Sequence, residues 1–96
     1  EKLYVPTESG LLHALNNQTG KRVWIYDARP LQLSSPTIIE STVLITDEKG
    51  YLHSVNKETG EQQWRMRVAQ NMTSTPVMAD GVLYLASKDG TLYAIE

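Results

Sequence analysis

The sequence contains no cysteine, which rules out disulfides, thiolate zinc sites, iron–sulfur clusters and cysteine nucleophiles. It has no basic block either: nine Lys and Arg stand against eleven Asp and Glu, for a formal net charge of −2. Nothing in that balance would track a phosphate backbone, so nucleic acid is not an expected partner. No apolar run approaches 18 residues and the start is not signal-like, so neither a membrane-spanning helix nor an export address is expected within this stretch. No segment carries an apolar stripe at helical spacing. What is present is material for a core. Apolar residues make up 41% of the chain, with Leu, Ile and Val at 23 of its 96 positions, which excludes the disordered class.

Sliding the sequence by 40 residues superimposes it on itself. Gly10 falls on Gly50 and Gly90, Leu12 on Leu52 and Leu92, and His13 on His53 and Tyr93. Thr19-Gly20 falls on Thr59-Gly60, Trp24 on Trp64, and Ser34 and Pro36 on Ser74 and Pro76, without a gap. Each period reads as four short strands: 37–39, 42–46, 51–56 and 62–67 are rich in β-branched, aromatic and aliphatic residues. Between them lie Glu40-Ser41, Asp47-Glu48-Lys49-Gly50 and Lys57-Glu58-Thr59-Gly60, which are turn compositions. Four antiparallel strands every 40 residues is the blade of a β-propeller, whose twisted sheets pack face to face around an axis. The fold class is therefore all-β, a propeller segment of about 2.4 four-stranded blades, since 96 residues hold two periods and a sixteen-residue overhang. The expected division is the end of one blade and a linker over 1–34, a full blade and linker over 35–74, and three strands of the last blade over 75–96.

The stretch Ala14-Leu15-Asn16-Asn17-Gln18-Thr19-Gly20-Lys21-Arg22-Val23-Trp24 resembles the tryptophan-docking motif of the PQQ-type propeller repeat, Ala-x-Asp-x-x-Thr-Gly-x-x-x-Trp. A second copy is Ser54-Val55-Asn56-Lys57-Glu58-Thr59-Gly60-Glu61-Gln62-Gln63-Trp64, and a third begins at Ala94-Ile95-Glu96. The resemblance implies a structural docking role for Ala14, Asn16, Thr19, Gly20 and Trp24, and for Ser54, Asn56, Thr59, Gly60 and Trp64. Each indole would lie over the Thr-Gly turn of the neighbouring blade, with its N–H on a carbonyl of that turn and the small residue opening the motif leaving room for the ring. The Thr hydroxyl is expected to bond the residue three positions earlier, here Asn where the family pattern has Asp.

PQQ-dependent dehydrogenases are built on such blades, and kinship with them would imply a central calcium on acidic and amide ligands, a catalytic Asp and commonly a disulfide between adjacent cysteines. This sequence has no cysteine and no acidic constellation on core-facing strands, so it yields no catalytic, cofactor-binding or metal-binding residue and no cofactor. The non-catalytic branch it resembles is the BamB family of outer-membrane barrel-assembly lipoproteins, on the ending Lys88-Asp89-Gly90-Thr91-Leu92-Tyr93-Ala94-Ile95 and on Gly50-Tyr51-Leu52-His53. That resemblance implies a periplasmic protein-binding scaffold, anchored through a lipidated N-terminus outside this stretch. Its partners would be outer-membrane assembly machinery or unfolded barrel proteins. The alternatives are a piece of a PQQ-dependent dehydrogenase, or an engineered or excised fragment whose copies assemble.

His13 and His53 occupy equivalent places, so repetition accounts for them better than metal ligation does. Asp47, Glu48 and Lys49, like Lys88 and Asp89, read as solvated turn charges. The connections 27–36 and 69–76 lead from the outermost strand of one blade to the innermost of the next, where propellers carry binding surface. Leu31, Leu33 and Met72, flanked by Arg29, are candidate anchors for a partner, with tucking beneath the loop as the other reading. The strand count, starting mid-blade and ending after a third strand, leads us to expect Glu96 at or near a natural C-terminus, Glu1 within a longer propeller, and the remaining blades or further copies of the chain as neighbours.

Overall fold

The computed structural model describes residues 2–72 and 74–95. Glu1, Thr73 and Glu96, on which parts of the terminus, connector and third-motif expectations fall, lie outside the described residues. Ten strands form: β1 (Lys2–Pro6), β2 (Leu11–Asn16), β3 (Arg22–Asp27), β4 (Thr37–Ile39), β5 (Thr42–Thr46), β6 (Tyr51–Asn56), β7 (Gln62–Arg67), β8 (Val77–Ala79), β9 (Val82–Ala86) and β10 (Leu92–Ile95). They make three antiparallel sheets, β1-β2-β3, β4-β5-β6-β7 and β8-β9-β10, in chain order within each. The four strands read within the central period begin and end at the residues the composition indicated.

The turn chemistry explains the pairing. Asp80-Gly81 closes the β8–β9 hairpin with both residues at positive φ, and Glu40 takes φ 53° in the corresponding β4–β5 turn. Gly50 ends the β5–β6 turn at φ +92°, and a Cβ there would lie 2.1 Å from the Ala69 carbonyl oxygen. Only glycine leaves space for the incoming connector at that point. β2 and β6 each shift register against their outer partners at the same repeat position, Ala14/Leu15 and Ser54/Val55, so the bulge is a property of the repeat.

Apolar residues alternate along the strands and the sheets stack through them. Leu12, Ala14, Trp24, Tyr26, Leu33, Val43, Ile45 and Val55 form one buried cluster between the first and second sheets. Leu44, Leu52, Met72, Leu83 and Leu85 form another between the second and third. β6 is therefore buried on both faces from Leu52 to Val55, whereas β2 buries only Leu12 and Ala14. Inner strands are tied to their neighbours by the repeated connector serines. Ser34 Oγ accepts the Thr46 N–H at 3.1 Å, and Ser74 Oγ accepts the Ala86 N–H at 2.8 Å.

Candidate functional site: the tryptophan dock and the connector face

The turn after β2 is organised by Asn16, whose Oδ1 accepts the N–H groups of Gln18 at 2.8 Å and Thr19 at 3.1 Å. Asn56 repeats this with Glu58 at 2.8 Å and Thr59 at 3.1 Å. The threonine hydroxyls do not reach back to these amides. Thr19 Oγ1 accepts the Lys21 N–H at 3.2 Å and Thr59 Oγ1 the Glu61 N–H at 3.3 Å. The amide oxygen is already saturated by two backbone donors, so each hydroxyl serves the next exposed N–H along the turn.

Trp24, on the outer strand of the first sheet, lies on the second of these turns. Its Nε1–H donates to the Lys57 carbonyl at 2.9 Å, the residue is only 8% exposed, and the Tyr4 ring packs beside it with centroids 5.8 Å apart. A Cβ on Gly60 would meet Trp24 Cδ2 at 2.5 Å, so the ring lies against bare backbone. Ala14 stands opposite Trp24 in register and is fully buried, its small side chain leaving space for the indole. The other half of each expected dock is uncovered. Trp64, opposite the buried Ser54, remains 45% exposed, and Gly20 has open space around it. The turn that the 40-residue period would bring to Trp64 falls at 99–100, past the last residue of the sequence.

The connectors lie at one end of the sheets. Arg29 is exposed and grips Asp27 with two side-chain bonds, Nε to Oδ1 at 3.0 Å and Nη2 to Oδ2 at 2.8 Å. These bonds, with the Arg29 backbone N–H, hold the Asp27 carboxyl down at about 2. Leu31 is half-buried. Leu33 and Met72 are not exposed anchors: they are 7% and 3% accessible. Each forms a β-bridge to the turn of the following sheet, Leu33 to Asp47 and Met72 to Ser87, which draws its side chain under the loop into an inter-sheet cluster. These two bridges are 39 residues apart in the connector but 40 in the turn, so the connectors run one residue out of phase until Ser34 and Ser74 restore the period. Between the connectors runs a cleft of about 380 Å³ lined by Gln32, Glu48, Lys49, Asn71 and Lys88, among others.

A third arrangement was not foreseen. Asp47, expected as a solvated turn charge, is 1% exposed. Its Oδ1 accepts the N–H groups of Lys49 at 2.9 Å and Tyr51 at 3.2 Å, and its Oδ2 lies 2.7 Å from His53 Nε2. The other ring nitrogen, Nδ1, is 2.7 Å from the Tyr26 hydroxyl, which lies 2.9 Å from Gln62 Oε1. Burial alone would raise the Asp47 carboxyl, but the bonds from His53, Tyr51 and Lys49 outweigh it and hold the group below its ordinary value. Burial raises the Tyr26 phenol, with Arg65 opposing and Asp47 reinforcing the shift. The signal in the sequence was that the repeat places Thr7, Asp47 and Ser87 in register, all short side chains able to accept a turn N–H. His53 alone did not show which partner it would face. Among the described residues no three His, Asp or Glu side chains converge as a metal-ligand group, and no helix is long and apolar enough to cross a membrane.

The sequence model of the family described as "Outer membrane protein assembly factor BamB" matches residues 8–96. Among solved structures, BamB from Moraxella catarrhalis superimposes with a TM-score of 0.85 at 32% identity, covering 98% of this chain and 30% of that one. The computationally designed Ika8 protein matches at TM-score 0.84 and 15% identity, covering 98% of this chain and 30% of its own. A quinohemoprotein alcohol dehydrogenase, ADHIIG from Pseudomonas putida HK5, matches at 0.84 and 16%, covering 97% and 17%. The last two likenesses show the fold alone. A search of curated proteins finds no match. The chain spans about 30% of the length of its Moraxella relative. The docked indole over a Thr-Gly turn and the unbroken match from residue 8 to 96 lead to one conclusion: this chain belongs to the BamB family of outer-membrane protein assembly factors and is a PQQ-type propeller segment.

Proposed function

We propose that this segment is part of a non-catalytic, protein-binding scaffold that works in the periplasm in the assembly of outer-membrane β-barrel proteins, held at the membrane by a lipidated N-terminus outside these residues. The observation that carries this reading is the family match over residues 8–96. The partner is a protein, either a component of the assembly machinery or an unfolded barrel chain, and it meets the connector face. Stiff sheets presenting irregular connections on one end are a common way to build such a surface. Arg29 and Leu31 are its contacts here. The guanidinium is exposed and already oriented by Asp27, so little side-chain entropy is lost when a partner's carboxylate or carbonyl approaches. Leu31 offers apolar area beside it.

The test is made in the intact protein that contains this segment. Arg29→Glu combined with Leu31→Asp is expected to lower co-purification of outer-membrane assembly proteins at least tenfold while lowering the melting temperature by no more than a few degrees. Undiminished co-purification would sink the assignment of this face. A second measurement addresses the enzyme class: quinone absorbance retained after PQQ and calcium are added and the protein is desalted would overturn the non-catalytic reading.

A further inference from the structure

Among the described residues, the chain Asp47–His53–Tyr26–Gln62 crosses from one sheet to another through two aromatic groups, with Asp47, His53 and Tyr26 buried and Gln62 at its exposed end. We propose that it is a neighbour-selecting latch, which dictates that the first sheet packs on the second and on no other copy of the repeat.

The need for such a device follows from the repeat. The three sheets share hairpin registers and backbone turns, and the two complete outer hairpins share the bulge. Apart from Trp24 and Tyr26 their buried facing side chains are aliphatic or Met, the docking motif that carries Trp24 recurs in the sequence, and surfaces of similar shape discriminate poorly between partners. The latch supplies discrimination through directional groups. Tyr26 extends its hydroxyl from β3 into the second sheet, where it finds His53 on β6 and Gln62 on β7. Asp47, in the β5–β6 turn, fixes the ring from behind and is itself held by two backbone N–H groups. No buried side-chain donor or acceptor among the described residues lacks a partner.

Wrong pairings break this accounting. The repeat places Met66 where Tyr26 stands, Tyr93 where His53 stands and Ser87 where Asp47 stands. A sheet bearing Met66 laid over His53 would leave Nδ1 buried without a partner. The first sheet laid over the third would put the Tyr26 hydroxyl against Tyr93, with no carboxylate behind it. An orphaned buried polar group is costly, whereas an exchanged aliphatic contact is cheap. Selection therefore resides in the penalty for mispairing, and the net stabilisation of the correct junction can be modest.

That separation of selection from stability gives the test. In the intact protein, the triple substitution Tyr26→Met, Asp47→Ser and His53→Leu puts at the first two places the residues the repeat has at 66 and 87 and at the third an apolar side chain with no hydrogen-bonding group, leaving Gln62 free to turn to solvent. The expected result is a protein whose melting temperature lies within a few degrees of the parent, but which refolds from denaturant with at least a fivefold larger fraction of exchanged, oligomeric species. Refolding to the same single species in the same yield would overturn the proposal. If the triple variant does not refold, the cycle of Tyr26→Phe and Gln62→Leu decides. A coupling of fivefold or more in the unfolding equilibrium, with faster hydrogen exchange confined to β3 and β6, supports the latch. Additive effects, or exchange that rises equally in β9 and β10, overturn it.

Discussion

The two junctions between sheets have the same backbone plan but different contents. The first buries Trp24 and Tyr26 and is bound by an indole-to-carbonyl bond and the Tyr26–His53 contact. The second buries only aliphatic side chains and Met72, and the residues equivalent to Trp24 and Tyr26, namely Trp64 and Met66, are 45% and 40% exposed. The inner halves share one device and differ in another. Ser34 and Ser74 each clip a connector to a backbone N–H of the next sheet, and the second junction adds Thr46 Oγ1 donating to the Ser74 carbonyl at 2.9 Å and Thr37 Oγ1 donating to the Pro76 carbonyl, where Pro6 stands in the place of Thr46 at the first. A junction of this repeat is thus assembled from two separable parts. The connector supplies the inner part, and the indole supplies the outer part only when the next sheet brings its Thr-Gly turn.

The sharpest way to break that comparison is to delete the rings one at a time. Trp24→Ala removes a nearly buried side chain with its hydrogen bond and should cost about 3 to 5 kcal/mol. Within these 96 residues, where nearly half of Trp64 faces water, Trp64→Ala should cost about 1 to 2 kcal/mol. Equal losses in chemical denaturation of this segment would show that the two junctions do not differ as described, and equal losses in a longer chain would mean that a further Thr-Gly turn covers Trp64.

Acid should act on the first junction before the second. The Asp47 carboxyl sits below its ordinary value in the fold, so its contribution is complete above the unfolded-state value of about 3.9. It is lost as pH falls through the lower folded value. The melting temperature is expected to decline below about pH 4, and Asp47→Ser should flatten part of that decline while lowering the plateau. Asp27 and Asp89 are also held low but are exposed, so a residual acid slope persists in the variant. An identical slope in parent and variant would remove Asp47 from the account.

How far the sequence disclosed this structure depends on which residues repeat. The turn glycines and the Thr-Gly-Trp spacing recur at one interval, and each marks a local geometric necessity, so strands, sheets and the position of the docked ring could all be read from them. The Asp47 carboxylate could not. Its burial depends on His53 and on Tyr26 from another sheet, a pairing between unlike repeat positions that self-comparison cannot detect. Leu33 and Met72 were ambiguous for a different reason. The connectors slip by one residue against the period, and a period of 2 read across such a slip puts either face inward.

A smaller effect separates the turn that carries the Trp24 ring from its uncovered counterpart. Gly60→Ala forces a methyl into the Trp24 ring at 2.5 Å and strains a φ of +80°. Gly20→Ala meets only the strain, at φ +75° with nothing nearby. Both should lose about 1 kcal/mol from the backbone term, and Gly60→Ala a further 1 to 3 kcal/mol, roughly, from overpacking. Equal costs would mean that the ring yields freely.

The smallest expected change comes from restoring the acidic residue of the family pattern in each turn. Asn16→Asp and Asn56→Asp both turn an amide oxygen that accepts two backbone N–H groups into a carboxylate, which strengthens such bonds. The surroundings differ. Asn16 pairs across the hairpin with Lys2 and precedes Lys21 with no acid between them, whereas Asn56, although followed by Lys57, stands two residues before Glu58, which Lys2 meets at 3.1 Å, and five before Glu61. The new charge should therefore be favourable in the first turn and nearly offset by repulsion in the second. The expected gain is about 0.5 to 1 kcal/mol for Asn16→Asp and close to zero for Asn56→Asp. Added salt should narrow the gap between them, because the difference is Coulombic and exposed.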